Sequence, residues 1–317
     1  MTAAHNPRVS VVLPTYKRPD LLPRAAGSVQ AQTLQQWQLI VVDDNDPTSP
    51  ERQQTREVME QLRSDPRITY IEHDRNRGGS AARNTGIRAA TAPFVAFLDD
   101  DDSWYPGKLA AQVELLERSG DDVALVYCAF KHVAQDGSYR VMRPRAEAHT
   151  VEALLTRNGV GTTSAVVCRR SALLEVGGFD ETLASRQDID LYLRLALRYQ
   201  LTFVDEVLLD FHRHAGAAIG KDMRRALEAN QHFDAKHAEL YRQYPDAAHH
   251  RLMTIGTIQR WAGKREDAWR TFLKAWRSRP FDLRAAAGMA ALSPAADAAR
   301  AVRDVVRRTL NGKPGSG

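Results

Sequence analysis

Between residues 8 and 100 the chain alternates short apolar runs with stretches whose apolar residues recur at helical spacing. "RVSVVLPTY" (8–16) is β-branched and ends near Pro14, which is the pattern of a buried strand. After it, Leu21, Leu22, Ala25, Ala26 and Val29 fall on one face of a helix. "QLIVVDDND" (38–46), "RITYIEH" (67–73) and "FVAFLDD" (94–100) repeat the strand pattern. Helical stretches at 51–63 and 80–90 separate them, the second starting after two glycines. Strand and helix alternating at this spacing predict βαβ units and a mostly parallel, Rossmann-like sheet of the α/β class. From about Lys221 the texture becomes Ala-, Arg- and His-rich with no strand pattern. The division expected is therefore an α/β domain over 1–220 and a helical region over 221–317.

Within the helical region, "AGKREDAWRTFLKAWRSRP" (262–280) puts Trp269, Phe272 and Trp276 on one side. Its spacing resembles the second helix of a single tetratricopeptide-like hairpin, which makes both tryptophans core residues. A last basic amphipathic helix at 295–310 sets Val302, Val305, Val306 and Leu310 against Arg300, Arg303 and Arg307.

Composition narrows the class. Of 317 residues, 43% are hydrophobic and 26% charged, the values of an ordinary globular protein. Cys128 and Cys168 each lie inside an apolar run, so buried reduced thiols are expected rather than a disulfide or a zinc site. No apolar stretch nears the roughly 20 residues that span a bilayer, and the first residues carry no apolar leader segment. A cytoplasmic protein is the expectation. Residues 221–317 hold 19 Lys and Arg against 10 Asp and Glu, a net +9, which leaves −4 for residues 1–220 out of the whole-chain +5. That asymmetry argues against a nucleic-acid-binding protein. It leaves the basic rear to face an anionic membrane or substrate.

The chemistry is concentrated at strand ends. Asp43 and Asp44 close the second strand pattern, and Asp99, Asp100, Asp101 and Asp102 follow the fourth. In open α/β sheets ligands sit beyond the carboxyl ends of the strands, so both clusters are expected at one crevice. Four adjacent carboxylates repel one another unless positive charge lies among them. Mg²⁺ and Mn²⁺ prefer oxygen and take one or two carboxylates together with substrate phosphates.

Six ordered motifs carry a resemblance: "VSVVLPTYKRPDLL" (9–22), "LIVVDDND" (39–46), "NRGGSAARNTGI" (76–87), "FLDDDDSWYPGKL" (97–109), "VGGFDETL" (176–183) and "RQDIDLYLRL" (186–195). Over residues 8 to about 216 the chain resembles the family-2 glycosyltransferases of GT-A fold. The resemblance implies an inverting, metal-dependent enzyme using a nucleotide-diphospho-sugar donor, UDP-linked, with Mn²⁺ or Mg²⁺. Its acceptor would be a glycan, lipid-linked or protein hydroxyl, in surface polysaccharide or glycan synthesis. It implies that Pro14, Thr15 and Tyr16 wall the base and that Asp44 binds it, with Asp43 structural. Arg83 would approach the base or phosphates, at a helix start that suits anions. Asp99 and Asp101 form the Asp-x-Asp pair, Asp101 being the metal ligand, Asp100 the ribose contact and Asp102 a brace for the turn. His214 would meet metal or diphosphate. Asp188 would be the general base, with Asp190 a cap at the same helix head.

Two positions depart from the family pattern. Gln187 stands where many relatives have Glu, which removes a like charge beside Asp188. "NDPTSP" replaces the usual turn after the second strand, and leaves the nucleotide rim open. Two rival readings follow from the residues. A sugar nucleotidyltransferase needs a glycine-rich phosphate loop after the first strand, and "LPTYKRPDLL" has no glycine. A partner-binding protein on a vestigial transferase domain is disfavoured by intact Asp44, Asp101 and Asp188.

Overall fold

The computed structural model describes residues 6–212 and 223–292. The chain divides into two compact units, the first ending at Ala218 and the second starting at Ile219.

In the first unit, β1 (Val9–Thr15), β2 (Trp37–Asp43), β3 (Ile68–Glu72) and β4 (Phe94–Phe97) are joined by α1 (Leu22–Gln30), α2 (Pro50–Leu62) and α3 (Gly79–Ala89). All four strands pair in parallel, in the order β3-β2-β1-β4. β1, β2 and β4 read as nearly unbroken apolar runs because helices cover both faces of such a sheet, while β3, at its edge, is only partly buried. α3 lies close on β1: a Cβ added at Gly86 would stand 2.2 Å from Cγ1 of Val12, so glycine is needed there. The apolar run after β4 contributes one more ladder bond, Leu98 N to Val12 O at 3.0 Å, before the chain turns at Asp99. The strand therefore ends before its carboxylates.

Beyond β4 the sheet becomes mixed. β5 (Ser103–Trp104), α4 (Lys108–Arg118), β6 (Val123–Val133), β7 (Tyr139–Met142), α5 (Val151–Thr156), β8 (Val166–Arg169), α6 (Arg170–Glu175), α7 (Gln187–Ala196) and β9 (Gln200–His212) follow in chain order. Among the described residues the sheet has nine strands, continuing β4-β8-β6-β9-β5 with β7 on β6. β8 runs antiparallel to both β4 and β6, and β5 antiparallel to β9. The parallel arrangement expected from the first hundred residues thus covers only half of the sheet. One apolar cluster, including Val11, Leu39, Ala96, Leu98, Trp104 and Leu209, runs through the sheet and fixes the ends of its strands. Cys128 and Cys168 are buried, free thiols in β6 and β8.

The second unit is helical throughout its described residues: α8 (Met223–Lys236), α9 (Ala238–Gln243), α10 (Pro245–Trp261), α11 (Arg265–Ser278) and α12 (Leu283–Ala290). α10 and α11 pack as a hairpin across a turn at Gly263, whose φ of 77° suits glycine. Their shared core is Phe272, Ala268 and Leu292, flanked by Met253 and Met289. Trp269 and Trp276 are not in it, contrary to the periodicity: both lie on the exposed flank of α11. The basic stretch at 295–310 and His214 fall outside the described residues. No helix among those described is long and apolar enough to cross a membrane.

Candidate active site

The tetra-aspartate turn is a set of carboxylates divided between interior and surface. Asp100 and Asp102 are buried, while Asp99 and Asp101 are partly exposed. Arginines supply the positive charge that the repulsion argument demands. Arg18 places Nη2 3.0 Å from Oδ1 of Asp100 and pairs through Nη1 with Asp101. Arg24 donates to the backbone oxygen of Asp101. Arg83 reaches Oδ1 of Asp99 from α3, and Thr163 Oγ1 donates to Oδ2 at 3.1 Å. Asp102 accepts from the backbone N of His212 at 3.1 Å, tying the turn to the end of β9. Burial holds the Asp102 carboxyl well above the usual range and pushes Asp100 up to about 7, with Arg18 opposing the latter.

The end of β1 braces this turn. Thr15 is buried and its hydroxyl donates to Oδ2 of Asp100 at 2.9 Å, while Pro14 is half-buried and Tyr16 lies at the surface. Asp43 is structural: its carboxylate takes Tyr70 OH at 2.6 Å, Asn45 N at 2.8 Å and the buried Arg52 Nε at 3.0 Å.

Asp44 is held by the loop at 73–78. Its Oδ1 meets His73 Nδ1 at 2.7 Å and Arg77 N at 2.8 Å; its Oδ2 takes Gly78 N at 2.7 Å and Asn76 Nδ2 at 3.1 Å. It thereby organises the loop that opens α3, the helix carrying Arg83. The two acidic clusters lie at the ends of β2 and β4 with β1 between them, and only the second contributes to the cleft described next.

That cleft has a volume of about 340 Å³. Its lining includes Arg83, Asp99, Thr163, Asn158, Gln187 and Asp188 together with the rings of Phe130, Phe179 and Phe211. Asp188 sits in the first turn of α7. Ile189 N donates to its Oδ1 at 2.8 Å and Asn158 Nδ2 to its Oδ2 at 2.7 Å. Burial raises its pKa; the Ile189 amide, Arg186 and Arg83 pull the other way. Arg186, just before α7, has φ 63°, a costly backbone for a non-glycine residue and one that recurs beside functional groups. Asp190 points elsewhere. It is fully buried and pairs with Arg194 at 2.7 Å, which donates to Gly178 O at 2.7 Å and Val176 O at 2.5 Å.

Three of the sequence motifs meet here. Asn84 of α3 exchanges bonds of 2.8 Å with both N and O of Phe179, just after Gly177 and Gly178 at φ 80° and 69°. Arg194 of α7 holds the same loop from the other side. Their order along the chain reflects a single spatial assembly around the cleft.

The family model for glycosyl transferase family 2 matches residues 10–177, more than half of the chain. The chain belongs to this family. WcaA of Escherichia coli (strain K12), by its name a glycosyl transferase assigned to colanic acid biosynthesis, is 28% identical over 85% of this chain and 93% of its own. The amylovoran biosynthesis glycosyltransferase AmsB of Erwinia amylovora is 32% identical over 64% of this chain and 69% of its own. The mannosyltransferase PcManGT from Pyrobaculum calidifontis, solved with GDP-Man and Mn²⁺, has a TM-score of 0.59 at 22% identity, covering 96% of this chain and 81% of that one. TarS of S. aureus, solved with UDP, has a TM-score of 0.55 at 16% identity over 85% of this chain and 89% of that one. These likenesses establish the α/β GT-A fold with its helical C-terminal region.

The family implies a divalent metal, and the donor set suits one. Asp99 and Asp101 are the partly exposed carboxylates of the turn, with hard oxygens of the kind Mn²⁺ and Mg²⁺ select. Among the described residues no group of three or more His, Cys, Asp or Glu side chains converges. Asn158, Thr163, Phe130, Phe211 and Arg18 were not singled out by the sequence. The only sequence signal for the first two was a glycine-rich polar stretch, "RNGVGTTS" (157–164).

Proposed function

We propose that this glycosyltransferase moves a sugar from a UDP-sugar to a hydroxyl of a growing surface polysaccharide, with inversion. The observation that carries this reading is Asp188, half-buried and fixed by two donors, in the same cleft as the Arg83–Asp99 pair. The polysaccharide acceptor follows from the names of WcaA and AmsB, and the nucleotide donor from the ligands of TarS and PcManGT.

In this reading the donor lies over the turn at the end of β4 and the acceptor enters between Asn158, Phe211 and Asp188. Asp188 takes the acceptor proton as the hydroxyl oxygen bonds to the anomeric carbon and the bond to the diphosphate breaks. Burial makes Asp188 a stronger base than an exposed carboxylate, and Asn158 keeps one oxygen oriented. Arg83 and the N-terminus of α3 favour the diphosphate. Asp101, with Asp99, would hold the metal, which when bound offsets the charge gathering on the leaving group. Asp44 contributes by fixing the loop 73–78 beside the donor.

A thermal-shift screen of UDP, GDP, CDP and ADP with Mn²⁺ tests the donor, since a ligand of the native state raises apparent stability. UDP with Mn²⁺ is expected to give the largest rise, and Asp101→Ala to remove its dependence on Mn²⁺. A larger rise with GDP overturns the UDP assignment. No rise with any nucleotide overturns the reading itself.

A further inference from the structure

The second unit carries exposed apolar side chains that lie outside the cleft described above. Five large apolar side chains within 23 consecutive residues are exposed: Trp261 (64%), Trp269 (47%), Trp276 (38%), Phe281 (97%) and Leu283 (77%). Trp269 and Trp276 are seven residues apart on α11, so they stack along one flank of the helix, beside the buried line of Ala268, Phe272 and Ala275. Phe281 and Leu283 stand at the turn into α12, next to the end of α11 that bears Trp276. Soluble proteins scatter such residues singly, whereas a gathered set marks a contact surface.

The charges around them indicate the occupant. Residues 260–284 hold eight Lys and Arg against three Asp and Glu, a net +5. Arg270, Arg279 and Arg284 are paired with Glu266, Asp246 and Asp282. Arg260, Lys264, Lys274 and Arg277 have no ion pair among the described residues, and Arg270 and Arg277 follow the two tryptophans directly in sequence. Indole rings with an apolar body and a polar tip, interleaved with long basic side chains, suit the headgroup boundary of a bilayer. Each basic residue near an anionic leaflet adds about 1 kcal/mol. Tryptophan also suits protein interfaces, so it is the row of Lys and Arg without ion pairs among the described residues, beside the rings, that favours an anionic leaflet. We propose that the α10–α11–α12 face bearing Trp261, Trp269, Trp276, Phe281 and Leu283 docks on the surface of an anionic membrane. It lies parallel to that surface, since no described helix spans a bilayer.

The full chain, with POPC vesicles and with POPC vesicles holding 30 mol% POPG, provides the test. Three of the five tryptophans belong to this face, and Trp37 and Trp104 are buried, so intrinsic fluorescence reports on it directly. Sedimentation with POPG vesicles and a blue shift of emission are expected, both suppressed by high salt. Trp269→Ser with Trp276→Ser, or Phe281→Ser with Leu283→Ser, should weaken binding roughly ten-fold by removing inserted apolar area. Lys274→Gln with Arg277→Gln should weaken binding to POPG vesicles alone. These residues are exposed, so unchanged thermal unfolding distinguishes lost docking from lost folding. Equal binding to both vesicle types, or binding indifferent to the substitutions, overturns the proposal. So does self-association in analytical ultracentrifugation that the tryptophan variants abolish while vesicles fail to sediment the protein, because the face would then join two copies.

Discussion

Asn158 donates its side-chain amide to Asp188 across 2.7 Å, linking the polar loop before β8 to the head of α7. The same amide bonds Gly161 O at 2.8 Å, and Asn158 Oδ1 accepts from Gly161 N at 2.8 Å, so the loop holds the amide in place. A bond to the charged form of a carboxylate lowers its pKa, against the burial that raises it at Asp188.

Asp188→Asn is therefore expected to keep nucleotide affinity within a few-fold and to lose transfer by roughly 10² or more. Asn158→Ala should leave donor affinity alone and lower kcat by about ten-fold, because the base is still present but no longer oriented. The pH–rate profile gives a second readout. Activity should fall on the acid side as Asp188 protonates, at a pH above the ordinary carboxylate range. Removing the Asn158 bond should move that limb higher still. Donor binding lost together with transfer in Asn158→Ala would show that the amide supports folding instead of the base.

Lys108 supports a stability prediction. It opens α4 fully buried, and its Nζ lies 4.1 Å from the centre of the Trp104 ring with no hydrogen-bond partner among the described residues. Burial lowers its pKa to about 8 from 10.5. The folded state then binds fewer protons than the unfolded chain between those values, so stability is lost as pH falls from about 10.5 towards about 8, and the full penalty is present below that. Lys108→Met keeps the length and removes the charge. It should raise Tm by several degrees at pH 7, with the gain shrinking towards pH 10, as measured by calorimetry across that range. A Tm lowered at every pH would mean that the contact with Trp104 outweighs the cost of burying the ammonium.

The parts of this architecture that were legible share a physical property: their signals are local. β1, β2 and β4 are almost wholly buried and appear as apolar runs with helices between the strands, so these elements and their parallel pairing follow from reading along the chain, whereas β3 at the sheet edge is only partly buried. The mixed half depends on pairings distant in sequence, such as β4 with β8 and β6 with β9, which no local pattern records. Asp44 illustrates the same limit at the site. A carboxylate at a strand end looks like a ligand for substrate, and the partners it holds some thirty residues on, at 73–78, leave no local trace in the sequence. The tryptophans of α11 failed for a related reason. Trp269, Phe272 and Trp276 fall within one arc of the helix, and periodicity cannot say how far round that arc the neighbouring helices reach.

Asp190 provides the converse of Asp188, two residues away on the same helix. Its carboxylate is fully buried and bonded to Arg194 Nε at 2.8 Å and Nη2 at 2.7 Å. Arg194 in turn holds the carbonyls of Val176 and Gly178, where a Cβ on Gly178 would stand 2.5 Å from Asn84 Oδ1. Removing one partner of a buried pair leaves the other uncompensated, at a cost of about 3–5 kcal/mol when both are inside. Arg194 is one-fifth exposed, so a cost nearer 2 kcal/mol is expected for Asp190→Asn. In a unit of this size that corresponds to a fall in Tm of roughly 4–8 °C. Transfer per folded molecule should stay within a few-fold of wild type at low temperature, since Asp190 does not line the cleft. The two substitutions should therefore separate: Asp188→Asn inactive and stable, Asp190→Asn active and unstable. Thermal melts and initial rates on the same preparations measure both. Equal loss of activity in the two variants at a temperature where both are folded would show that the loop 176–178 shapes the transfer step itself.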